Sequence, residues 1–107
     1  MAARTMLQAP PTARAGDVIE IRTLIGHPME TGFRPDAAGQ PMPRDLIRRF
    51  TCRYGGDVVF AAELHAAVSA NPFIAFHLLA AATGPIVLRW EGDNGFDHTE
   101  TLQLRVD

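Results

Sequence analysis

The side chains of this 107-residue sequence that could do chemistry are four histidines, one cysteine and a few loop carboxylates. His27, His65, His77 and His98 are scattered. A helical metal site needs two ligands at i and i+4, and a zinc ribbon needs paired cysteines. Neither pattern occurs, and His77 and His98 fall on separate predicted strands. Ordinary surface or half-buried roles are expected for all four, with no metal.

Cys52 is the one candidate nucleophile. A reactive thiol needs an accessible, electropositive setting that favours the thiolate, whereas a buried one behaves as a small hydrophobe. Strand alternation puts Cys52 beside Phe50 and Tyr54 on an apolar face and turns Arg53 away from it, so a core cysteine is expected. Acid–base work would have to draw on Glu30, Asp36, Asp45 or Asp93, all in or beside predicted loops that fix no separation between them. Gly55-Gly56 joins two strands and is therefore no phosphate-binding turn, which needs a strand leading into a helix. No catalytic residue and no cofactor are expected.

The elements that would position these groups are strands. Residues 17–26 alternate, with Ile19, Ile21, Thr23 and Ile25 on one face, and their β-branched content favours a strand over a helix. Residues 46–54 place Leu46, Phe50, Cys52 and Tyr54 on one side, with Arg48 the only intruder. Gly55-Gly56 turns the chain into residues 58–64, whose apolar members are Val58, Phe60, Ala62 and Leu64. Residues 65–71 read as a turn of helix or an irregular crossover. Residues 72–80 are apolar on both faces and read as a central strand. Residues 86–91 carry Ile86, Leu88 and Trp90 on one face. Asp93-Asn94-Gly95 is a hairpin turn, because Asn and Gly tolerate positive φ, and Leu102, Leu104 and Val106 share a face of the last strand. About seven short strands between turn signals predict an all-β, immunoglobulin-like antiparallel β-sandwich over residues 17–107. Residues 1–16, rich in Ala, Pro and Thr, read as an extended lead-in.

Between the first two long strands, residues 27–44 form a long irregular connection, with Gly39 suited to a tight turn at its tip. Loops of this length in compact domains are often functional. The formal net charge is −2 and no basic run exceeds Arg48-Arg49, which argues against a nucleic-acid partner. No stretch is apolar and long enough to span a bilayer. A single cysteine rules out an intrachain disulfide framework.

The long connection also carries a motif. His27, Met29-Glu30-Thr31-Gly32, Arg34, Asp36, Gly39 and Pro43 read H-x-M-E-T-G-x-R-x-D-x-x-G-x-x-x-P, followed by Ile47 and Arg49-Phe50-Thr51-Cys52. With Val68-Ser69, Asn71-Pro72-Phe73, Trp90 and the turn at Asp93 and Gly95, this resembles the Z subunit of the sulfur-oxidising (Sox) sulfur-carrier complex, over about residues 16–106. Pro35 departs from the resemblance, standing where the family's run has Lys.

The resemblance implies an immunoglobulin-like subunit without an active site, paired in a heterodimer with a Y (SoxY-type) subunit. That partner carries covalent sulfur intermediates on a cysteine near the end of a flexible C-terminal arm during thiosulfate oxidation. The other Sox enzymes would engage the pair transiently. Cys52 matches a cysteine of the family's F-T-C run, but the sulfur-bearing cysteine is the partner's. The sequence alone points to the cytoplasm, because residues 1–11 hold no signal-like apolar region. The resemblance implies the periplasm instead, reached by export with a signal-bearing partner.

Two contact regions are expected. His27, Met29, Glu30 and Arg34 would present an adaptable Met29 to a partner, unless Met29 tucks into the core and Glu30 bonds Arg34 within the loop. Ile74 and Phe76 would pack against the Y-type subunit, unless the N-terminal segment covers their strand. The competing functional classes are a β-sandwich binding module of an unrelated system and a thiol protein using Cys52.

Overall fold

A computed structural model describes residues 3–107. Eight strands run in order: β1 (Thr5–Gln8), β2 (Thr12–Ala13), β3 (Val18–Ile25), β4 (Ile47–Tyr54), β5 (Asp57–Glu63), β6 (Phe73–Leu79), β7 (Gly84–Gly92) and β8 (Asp97–Val106). They form a three-stranded sheet, β1-β3-β6, and a five-stranded sheet, β2-β8-β7-β4-β5. Every pairing is antiparallel except β2 with β8. The all-β sandwich expected from the alternation is the fold observed.

Three of the long strands bury residues of their predicted faces. Ile19, Ile21, Thr23 and Ile25 of β3, Ile86, Leu88 and Trp90 of β7, and Leu104 of β8 are all buried. Thr23 can lie in the core because its hydroxyl donates to the Ile74 carbonyl at 2.9 Å. The sheets meet through an aromatic seam. Phe50 packs on Trp90 with ring centroids 5.1 Å apart and on Phe76 at 5.8 Å, while Phe60 stacks on Phe76 at 4.5 Å. The Tyr54 hydroxyl adds a polar tie, donating to the Ala82 carbonyl and accepting the amides of Ala81 and Ala82.

Four expectations change. The pairing of β4 with β7 shifts register between Ile47 and Arg49. This bulge turns Arg48 out to solvent while Ile47 and Phe50 both point inward, so the intruder never faces the core. A second irregularity between Cys52 and Arg53 leaves Val58 and Val59 exposed. The doubly apolar segment is not central: β6 is an edge strand of the smaller sheet, and β3 is its centre. The lead-in is part of the sandwich, for β1 pairs with β3 in one sheet and β2 with β8 in the other.

Gly92 sits where β7 crosses the start of β4. A Cβ there would collide with the Leu46 carbonyl oxygen and lie 2.9 Å from the Ile47 Cα, both backbone. Neither can move without undoing the bulge. Gly92→Ala should therefore destabilise the fold by about 2 kcal/mol or more, within the range of overpacked buried sites. Urea unfolding of the variant checks this through a lowered midpoint at unchanged slope.

Candidate partner-binding site

The motif residues of the long connection turn inward. His27 is buried, its amide donating to Asn71 Oδ1 at 3.0 Å while its carbonyl accepts the Asn71 amide at 2.8 Å. The imidazole stands edge-on to Phe96, and its Nδ1 accepts the Met29 amide at 3.0 Å. Nδ1 thus carries no proton, which places the ring proton on Nε2, 3.6 Å from Asp45 Oδ1. This grip holds Met29 at φ 49°, a left-handed conformation unusual for a residue with a side chain. Met29 is buried rather than exposed, and its Sδ accepts the Ile47 amide at 3.2 Å beside the β4 bulge. The adaptable exposed Met29 is therefore corrected to the tucked-in alternative. Glu30 bonds Arg34 at 2.7 Å within the loop, as that alternative also requires.

A second set of contacts clamps the loop to the β7–β8 turn. Arg44 grips Asp93 with both carboxylate oxygens, at 2.9 and 3.0 Å, and Leu46 donates its amide to Asp93 at 3.1 Å. Asn94 donates to the Arg44 carbonyl, and Glu30 and Asp45 exchange backbone hydrogen bonds at 2.8 Å each way. Desolvation would raise the Asp93 pKa, but the Leu46 amide and the guanidinium groups of Arg44 and Arg48 outweigh it and hold the carboxyl below its ordinary value. Sequence reasoning gave Asp93 a turn role and a place among the acid–base candidates, and missed that it anchors the loop.

Ile74 and Phe76 are not available to a partner as expected. Ile74 is half-buried and Phe76 sits in the aromatic seam. The open side of β6 is the other one, carrying Phe73, Ala75, His77 and Leu79. There the register aligns Met6, Leu24 and Phe73 in one row across the three strands, and Val18 with Leu79 in another. Met6, Phe73, Val18 and Leu79 are all at least 60% exposed, so the smaller sheet shows solvent an apolar surface at both ends. The outer face of the larger sheet differs, with Thr99, Thr101 and an Arg89–Asp97 ion pair at 2.7 Å.

No three or more His, Cys, Asp or Glu side chains group to hold a metal among the described residues. His77 lies on the outer sheet face near Glu20, and His98 on another strand near Glu100, so the two do not meet. Among the described residues no helix is long and apolar enough to cross a membrane. Cys52 is completely buried in the core, and burial pushes its thiol up to about 11.

Fold and site together define a β-sandwich whose smaller sheet presents an apolar outer face and whose cysteine is buried. The profile of the family described as "Sulphur oxidation protein SoxZ" matches residues 7–103, and the chain belongs to that family. No curated protein sequence is significantly similar to it. Solved structures share the fold at low identity. A superoxide reductase (neelaredoxin) from Ignicoccus hospitalis is 14% identical with a TM-score of 0.70, covering 98% of this chain and 82% of that one. A putative superoxide reductase from Thermotoga maritima is 15% identical with a TM-score of 0.71, covering 96% and 85%. The sulfur carrier protein SoxY from Chlorobium limicola f thiosulfatophilum is 11% identical with a TM-score of 0.64, covering 96% and 78%.

Burial lowers the His27 pKa from 6.5, while the Asp45 and Asp93 carboxylates oppose the shift. The unfolded chain therefore binds this proton first, so stability declines as pH falls from about 6.5 toward the folded value. Asp93, Asp97 and Glu100, all held low, add a separate loss in the carboxylate range near and below about pH 4. Urea midpoints measured against pH should show both declines in the natural sequence. His27→Asn, which keeps an acceptor near the Met29 amide but cannot titrate, should lose only the first. The sealed thiol gives a second expectation. Iodoacetamide at pH 8 should modify native Cys52 at least about a hundredfold more slowly than the urea-unfolded chain, as mass spectrometry would show.

Proposed function

We propose that this chain is the non-catalytic subunit of a sulfur-carrier heterodimer, whose SoxY-type partner bears the sulfur on a cysteine arm. The carrying observation is Cys52. In a chain of a sulfur-oxidation family, the only cysteine is fully buried with its thiol pushed up to about 11. A thiol so placed is a poor nucleophile and out of reach, so sulfur chemistry needs a second chain. The fold shared with a SoxY carrier protein supports a partner of similar shape. Export together with a signal-bearing partner, to the periplasm, belongs to the same proposal.

The surface we assign to that partner is the outer face of the β1-β3-β6 sheet. Its rows of Met6, Leu24 and Phe73, and of Val18 and Leu79, offer apolar area without competing ion pairs at either end. An apolar outer sheet face of this kind suits another sandwich packed face to face. Between the rows, Arg22 and Glu20 pair at 2.7 Å and His77 lies 3.7 Å from Glu20, which gives a polar centre able to fix register.

Co-expression with a SoxY-type chain, then size exclusion and intact mass spectrometry, tests both claims. The expected result is a one-to-one complex with sulfur adducts on the partner's arm cysteine only. Phe73→Asp should weaken that complex by about thirtyfold or more, as loss of an interface anchor does, while the isolated subunit keeps its unfolding midpoint. A missing complex, or adducts on Cys52, would turn the reading toward an unrelated binding module or a thiol protein.

A further inference from the structure

Residues 33–41 are exposed at every position, yet they are not a loose loop. Met42 donates its amide to the Arg34 carbonyl at 2.8 Å, and Asp36 donates to Gln40 at 2.7 Å. The Asp36 carboxylate accepts the amides of Ala38 and Gln40, both at 2.9 Å, and Gly39 turns the chain at φ 79°. Pro35 bridges to Pro41 across this small hairpin. A segment that satisfies its own backbone while its side chains stay in solvent is a finger. The molecule is long for its size, 58 × 22 × 20 Å with a radius of gyration of 16.1 Å, against about 13 Å for a compact chain of this length.

Phe33 stands where the finger leaves the body. At 87% it is the most exposed of the large apolar side chains among the described residues. The charges around it are unevenly presented. The Arg34 side chain is 68% exposed and Arg44 52%, whereas the carboxylates that hold them, Glu30 and Asp93, are 13% and 12% exposed. Two further carboxylates lie in the same stretch: that of Asp36 accepts turn amides, and that of Asp45, 37% exposed, faces His27 Nε2 at 3.6 Å. An approaching molecule meets an aromatic ring and two guanidinium groups, with the carboxylates paired to them, Glu30 and Asp93, recessed behind.

We propose that this finger is a docking element for a protein other than the one covering the three-stranded sheet. Phe33 seats in an apolar cleft, and Arg34 and Arg44 face carboxylates on its rim. The inference rests on the carrier-subunit reading, in which the partner is an enzyme acting on the carried sulfur. One aromatic ring buries about 150–250 Å², well short of the roughly 800 Å² per partner of a stable interface. The finger therefore suits repeated, short engagement, and the sheet face suits a permanent one. Its preformed backbone limits the ordering cost on binding, and prolines on both sides of the hairpin blunt any strand pairing.

The test uses the purified heterodimer with the sulfur-oxidising enzymes of its source organism, thiosulfate as substrate, and rate measured against heterodimer concentration. Phe33→Ala should raise the concentration giving half-maximal rate about tenfold or more, an aromatic anchor's contribution, leaving the saturated rate unchanged. Phe33→Trp should stay close to the natural protein. Raising salt from about 50 to about 300 mM should increase the same concentration in the natural protein, because the rim contacts are exposed charges. An unchanged half-maximal concentration for Phe33→Ala would overturn the proposal. So would a heterodimer that falls apart in Phe33→Ala, for the finger would then belong to the subunit interface. Failure of the natural chains to associate at all would instead strike the carrier reading, and this inference with it.

Discussion

Two sheets of unequal width are held together by one aromatic seam, and the rest of the molecule follows from it. Phe50, Phe60 and Trp90 come from the wide sheet and Phe76 from the narrow one, with Phe50 touching the other three. A sandwich core is only about 10 Å thick, so side chains of this size fill it and leave no room for a reaction centre. The same packing encloses Cys52 on β4, two residues beyond Phe50. The narrow sheet contributes its inner residues to this seam and leaves its outer face bare. Both the burial of Cys52 and the presence of an apolar outer surface are thus consequences of how three strands pack on five.

Much of this was legible as alternation. The inward faces of β3, β7 and β8 follow from a period of two, which a half-buried strand enforces residue by residue. Arg48 looked like an error in that pattern because a bulge adds one residue and reverses the phase after it. Nothing local to residues 46–54 announces the bulge, since it depends on Gly92 of another strand letting backbones approach. The misplacement of β6 has a different origin. Apolar residues on both faces normally mean cover on both faces, but among the described residues nothing covers the outer face of β6, where Phe73 and Leu79 are exposed. In the function proposed, the second surface belongs to an intermolecular contact.

The candidate site shows a sharper limit. The motif residues of the long connection are spent on internal structure: His27 fixes Met29, Met29 supports Ile47, Arg34 holds Glu30, and Asp36 closes the turn at Gly39. A recognisable motif in this stretch therefore describes how the finger is built, not what it touches. Phe33 occupies a position the motif leaves unspecified, and sequence reasoning passed over it. Its signal was available all the same, as an aromatic residue inside a Pro- and Gly-punctuated loop where no core can receive it. Pro35 fits this account as well. A proline there holds a fixed φ opposite Pro41 and requires no charge at that position.

The buried cysteine also bears on how such a subunit must be made. Thiolates attack sulfur–sulfur bonds, at rates governed by their ionised fraction and their access. A subunit working beside a thiol-bound sulfur cargo would, with an accessible thiolate of its own, offer that cargo a competing acceptor at very high local concentration. Placing Cys52 at the centre of β4, between Phe60 on one neighbouring strand and Leu88 on the other, removes access. Raising its pKa to about 11 removes most of the ionised fraction at neutral pH. Beside such a cargo, a cysteine in that position would be tolerable because the aromatic seam seals it. In the function proposed, the packing that seals this thiol is what would let the chain stand next to its partner's.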